Sequence, residues 1–135
     1  MRTYFKRTTS AVWITMSLVS TSAWCGDVYV ITNSGLAISA DDIKDIYTGD
    51  KLVEGGVKLT PIDNNTIKAD FLDKVVHMPA DKYASMWGKK VFRDGLTAPI
   101  TKSTDADVIA LVKAKPGNIG YVTNPTADVK VIKKF

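Results

Sequence analysis

Apolar residues in this 135-residue chain switch repeatedly between a two-residue spacing and a helical one. Residues 27–32 (DVYVIT) alternate and are rich in β-branched and aromatic types, the pattern of a half-buried strand. Ser39 then stands ahead of Asp42, a helix cap with acid in the first turn. Ile43, Ile46 and Tyr47 follow at helical spacing, and Gly49 closes that short helix. Residues 50–56 (DKLVEGG) read as a turn and 57–62 (VKLTPI) as a strand, which Pro61 confines to an edge or an end. Ile67, Phe71, Leu72, Val75 and Val76 share one face of a second helix, with Lys68, Asp70, Asp73 and Lys74 opposite; Pro79 stops it. A helix over about 80–88 sets Tyr83 and Trp87 four apart, as core side chains, and 89–102 read as loop with some extended backbone. Ser103 or Thr104 caps a helix that turns Val108, Leu111 and Val112 inward and ends at Pro116 and Gly117. Residues 118–122 and 129–132 are the last strands. Helices separate the strands, so the expected class is α/β, with a mostly parallel or mixed sheet and helices on its faces.

The first 25 residues follow a different rule. Arg2, Lys6 and Arg7 precede a short apolar run at 10–20 (SAVWITMSLVS), and small residues follow at 21–23. That is the order of a secretory signal peptide, and the run is shorter than the ~20 apolar residues a membrane span needs. An uncleaved N-terminal anchor is the alternative. Cleavage after Ala23 and after Cys25 both fit. Trp24 stands where a lipoprotein signal needs a small residue. The division expected is a signal peptide at 1–25 and a single domain at 26–135, placed in the periplasm.

This division also relocates the charge. The whole chain carries a formal +4, but residues 1–25 hold three bases and no acid, leaving 15 bases and 14 acids beyond them. A near-neutral domain has no single-sign field to steer nucleic acid. Cys25 is the only cysteine and His77 the only histidine, which argues against a disulfide, a thiol nucleophile or a metal centre. No Ser–His–Asp order, phosphate-cradling glycine loop or H-E-x-x-H occurs, so a non-enzyme without cofactor is expected.

Five stretches in a fixed order carry a resemblance. They are VYVITN, LAISADDIKDIYTGDKL, GGVKLTPIDNNTIKADF, YASMWGKKVFRDG and KPGNIGYV, spread over roughly residues 27–132. Together the chain resembles the small relatives of the phosphate-binding component of ABC importers. The resemblance implies a single three-layer-like lobe of a type II periplasmic binding protein, a mixed sheet with flanking helices. Full-length members close two lobes around an oxyanion, and this chain is similar to the second lobe plus one leading strand. The function so implied is solute binding, with inorganic phosphate or a similar oxyanion as ligand and a transporter as partner. A lobe without its companion also suits a ligand-free accessory or sensory module that docks an envelope protein or a second copy of itself.

The candidate site is the turn Asp63, Asn64, Asn65, Thr66 running into Lys68. A helix start presents unpaired amides and a partial positive charge to an anion. By position, Asn64, Asn65 and Thr66 stand where the family has a Ser/Thr-rich turn, and Lys68 where it has an arginine. Lys68 is a point charge without a guanidinium's two-pronged grip. Asp63 suits either the proton of a protonated phosphate or a helix cap. Asn33 and Ser34 end the first strand, and ligands of open α/β sheets gather beyond strand carboxyl ends, so they are expected to reach the same anion. All of these residues also serve as ordinary caps and turns.

Overall fold

The computed structural model describes residues 27–135, so the expected signal peptide lies outside the described residues. The strands are β1 (Tyr29–Thr32), β2 (Val53–Glu54), β3 (Val57–Lys58), β4 (Thr60–Asn64), β5 (Ile100–Lys102), β6 (Asn118–Val122) and β7 (Lys130–Lys134). The helices are α1 (Ile43–Thr48), entered through a 3-10 turn at Ala40–Asp42, α2 (Lys68–Phe71), α3 (Ala80–Asp94) and α4 (Asp105–Ala114). α2 continues as a π-helical stretch over Leu72–Val76.

Five strands form one mixed sheet in the order β5-β4-β6-β1-β7, and β2 and β3 pair as a separate hairpin. β4 runs parallel to both β5 and β6, while β1 is antiparallel to β6 and to β7. Alternation along each strand sends side chains to opposite faces. Val30, Tyr121 and Ile119 join Tyr47, Phe71 and Tyr83 of α1–α3 in one apolar core. Ile31, Ile62 and Val122 join Val108 and Val112 of α4 in a second core on the other face. Helices therefore flank both faces of the sheet.

Sequence signals and local structure agree at most junctions. Ser39 Oγ accepts from the Asp41 amide at 3.4 Å, and Thr104 Oγ1 caps α4 by accepting from the Asp107 amide at 3.2 Å. Gly49 ends α1 in the left-handed region at φ 77°. The double glycine of 50–56 is the two-residue bend of the β2–β3 hairpin, with φ 55° and 80° at Gly55 and Gly56. That geometry suits the native strand twist.

Four expectations change. α3 runs past residue 88 to Asp94 and is capped by Gly95, because Lys89–Asp94 are compatible with a helix and no proline interrupts them. The rest of 89–102 yields an edge strand, β5. The 57–62 strand is broken at Leu59, whose amide turns to the Leu52 carbonyl at 2.8 Å, and it resumes as β4. β4 extends to Asn64, so Asp63 and Asn64 belong to a strand rather than a helix-capping turn, and Pro61 sits near the start of an interior strand.

Candidate functional site

Three parallel strands, β5, β4 and β6, end together, and a cleft of about 630 Å³ lies beside those ends. Asp63 from β4, Lys68 from α2 and Thr101 from β5 line its polar side. α3 supplies the opposite wall with Tyr83, Trp87, Gly88, Val91 and Phe92. α3 presents that wall because positions 84, 87, 88, 91 and 92 fall on one helical face.

Asp63 is the electrostatic centre. It is 2 % exposed, yet it has several donors. Tyr121 OH donates to Oδ1 at 3.1 Å, and Tyr83 OH lies 3.3 Å from both carboxyl oxygens. Lys68 Nζ lies 3.5 Å from Oδ2 and 5.3 Å from the centre of the Tyr83 ring. Burial pushes the Asp63 carboxyl above its ordinary value, against the opposing pull of the Lys68 charge and the two phenols. The same burial, with the Asp63 charge adding to it, raises the Tyr83 and Tyr121 phenols well above the usual range, so both stay protonated donors. Behind them Phe71 stacks on Tyr121 at 3.8 Å and 4°, and Tyr47 meets Phe71 edge-on at 4.6 Å. This aromatic packing holds the phenols in place.

The other candidate residues are used differently. Asn64 is fully buried, and its Nδ2 donates to Asp105 Oδ1 at 2.7 Å and to the Tyr121 carbonyl at 3.2 Å. Its Oδ1 accepts from the Thr66 amide at 3.1 Å. The Asn65 amide donates to the Lys102 carbonyl at 2.8 Å, and the Ile67 amide to the Asn64 carbonyl at 3.2 Å. Thr66 Oγ1 donates to the Ser103 carbonyl at 2.7 Å. The amides of 65–67 are thus taken within the chain. The expected anion cradle at Asn64, Asn65 and Thr66 is instead a junction that ties β4 to β5 and α4. Of that stretch only Asp63 and Lys68 face the cleft.

Asn33 and Ser34 lie at the opposite end of the sheet. β1 runs antiparallel to β6, so its end residue Thr32 pairs with Ile119, which also stands beside Pro61 near the start of β4. Asn33 Nδ2 donates to the carbonyls of Val112 and Lys113 at 3.3 and 3.2 Å, closing the C-terminal end of α4, and exposed Ser34 sits in the turn beyond. The expectation that these two residues reach the same anion as Lys68 is corrected: it assumed a β1 parallel to its neighbours.

Sequence reasoning did not assign Thr101, Gly88, Val91 or Phe92 to a site. Tyr83 and Trp87 are core residues, as their spacing indicates, and they also wall the cleft. The signal available was the glycine inside the helical pattern of 80–94, which no helix requires.

These elements define a mixed α/β protein with a cleft at the carboxyl ends of its parallel strands, the crevice in which open α/β sheets collect ligands. No protein-family model matches the chain, and no curated protein does. Among solved structures it is similar to an ABC-type phosphate transport receptor from Vibrio cholerae, with a TM-score of 0.51 and 14 % identity. The alignment covers 80 % of this chain and 46 % of the receptor, so the chain spans under half of that protein's length. At that identity the likeness concerns the fold, which matches the periplasmic-binding-protein-like architecture at a coarse level.

Proposed function

We propose that this chain is a non-catalytic, solute-binding-like protein of the periplasm, equivalent to a single type II binding-protein lobe, that takes phosphate or a related protonated oxyanion against the Asp63–Lys68 pair. One observation carries the reading: a buried carboxylate and an ammonium stand 3.5 Å apart at the polar side of the cleft. An ionised carboxylate has about four lone-pair directions, and the two phenols and Lys68 take three. One direction is left for a donor. Monohydrogen phosphate supplies it through its P–OH, while an unprotonated oxygen accepts from Lys68. Sulfate at neutral pH has no proton to give, and its charge would face the Asp63 carboxylate. The fold of the Vibrio cholerae receptor supports a solute-binding role, and the signal-peptide-like order of residues 1–25 supports export.

Calorimetry tests this. Phosphate and arsenate should bind, sulfate at the same concentration should not, and Lys68→Ala should weaken phosphate binding at least about fivefold, the loss of one charge-assisted contact. Absence of heat with phosphate up to millimolar concentration would reject the reading.

A second reading is favoured by the engaged amides of 65–67 and by apolar exposure. Val91 and Phe92 line the cleft, Leu52 and Ile100 line an adjoining one, and Trp87 and Ala98 belong to both. Such a face suits an accessory module that docks an envelope protein or a second copy. A light-scattering mass above the monomer, with no phosphate heat, would favour it.

A further inference from the structure

We infer that the ligand of this cleft is an organic oxyanion, a phosphate monoester with a small apolar or aromatic body, rather than bare inorganic phosphate. The inference rests on the reading that Asp63 and Lys68 hold the oxyanion, and it adds what fills the remainder. A tetrahedral oxyanion occupies the space of a few waters, roughly 100 Å³ at about 30 Å³ per water. The cleft holds about 630 Å³. That is the size of a small-molecule site, and its make-up is also that of one: mostly apolar walls with a few polar groups gathered at one side.

The walls are suited to hydrocarbon. Trp87 is 5 % exposed, and its Nε1 donates to the Tyr47 carbonyl at 3.0 Å, which fixes the ring in place. Val91, Ala98 and Pro99 continue the surface, and Phe92 stands at the lip with 94 % of its area in water. A phenylalanine so exposed loses the benefit of its apolar area unless something covers it.

Gly88 is the independent observation. It sits inside the 15-residue α3, where glycine is the poorest helix former after proline. Its backbone needs no positive φ, and a Cβ built there meets nothing within 4 Å. Neither conformation nor packing calls for glycine. The missing side chain does leave the cleft open between Trp87 and Phe92.

Titration calorimetry on the full chain at pH 5, where a monoester whose second pKa is about 6 keeps one P–OH to give Asp63, with phenyl phosphate, inorganic phosphate and phenol tests the inference. Phenyl phosphate should bind at least about tenfold tighter than inorganic phosphate, the return on covering one aromatic ring. Gly88→Leu should abolish that preference, and Phe92→Ser, a change to an exposed side chain, should reduce it. Equal affinity for the two phosphates overturns the inference and leaves the oxyanion reading standing. Phenyl phosphate no tighter than phenol, or no binding by either phosphate, overturns both. A preference that survives both variants places the ring elsewhere and overturns the inference alone.

Discussion

Asp63 is kept out of water by the same aromatic residues that bond to it, and the balance is legible as pH dependence. Burial raises its carboxyl above the ordinary 3.8, so the native chain holds that proton to higher pH than the unfolded chain does. Between the two values the native state binds more protons, and stability falls as pH rises. The contribution is therefore complete below pH 3.8 and lost as pH climbs through the native value of Asp63. Asp63→Asn keeps the shape and removes the titration. Urea unfolding of both proteins from pH 3 to 7 should show the asparagine variant gaining on the wild type as pH rises. A difference that is constant, or that moves the other way, would sink this account of Asp63. The residue scale is also where reading the sequence failed most instructively. Asn64 has the composition of a ligand-binding turn residue, yet both ends of its amide serve the join between β4, α4 and the Thr66 amide. Side-chain partners more than 40 positions away carry no local signature, so a capping asparagine and a strand-tying asparagine look alike in sequence.

At the scale of elements, α4 approaches β6 closely. A Cβ at Gly120 would stand 2.5 Å from Val108 Cγ1 and 3.3 Å from Val112 Cγ2, so the helix lies against bare backbone. Gly120→Ala should destabilise by about 1–3 kcal/mol through overpacking, and Val108→Ala by about 2 kcal/mol through the lost methyls and the space left. Combined, the added methyl enters the vacated space, and the double variant should be less destabilised than the sum by about 1 kcal/mol. Denaturant midpoints of the four proteins measure this, and strict additivity would mean that α4 does not rest on Gly120. What the sequence made legible here is existence and type. The alternation of DVYVIT, the helical face from Ile67 to Val76, the Thr104 cap and the glycine-bounded strand NIGYV all correspond to elements in place. Strand direction and order were not legible, because they are set by pairing between distant segments: β1 lies between β6 and β7, both near the other end of the chain. The misplacement of Asn33 and Ser34 follows from that alone. The cleft escaped notice for a related reason. Its apolar wall reads as ordinary helix surface until β4, β5 and α3 are brought together.

For the molecule as a whole, the alignment takes in only 46 % of the receptor of similar fold, and the cleft proposed as the site stands open to water. A ligand enclosed between two lobes is shielded from bulk water and salt, whereas Lys68 here is 30 % exposed and its charge is felt partly through solvent. Exposed charges are screened over about 30 Å at 0.01 M salt but only about 3 Å at 1 M. Inorganic phosphate affinity should therefore fall several-fold when sodium chloride is raised between those limits, as the ammonium contributes most of its attraction through that half-wet contact. Calorimetric titrations at three salt concentrations, with the same chain and pH, are sufficient. The contact made by an aromatic body against Trp87 and Val91 is indifferent to ionic strength, so the preference for phenyl phosphate over phosphate should be unchanged by salt while both affinities decline. Phosphate affinity independent of salt would mean that Lys68 is enclosed in solution, by a surface laid over Val91, Phe92 and Ile100.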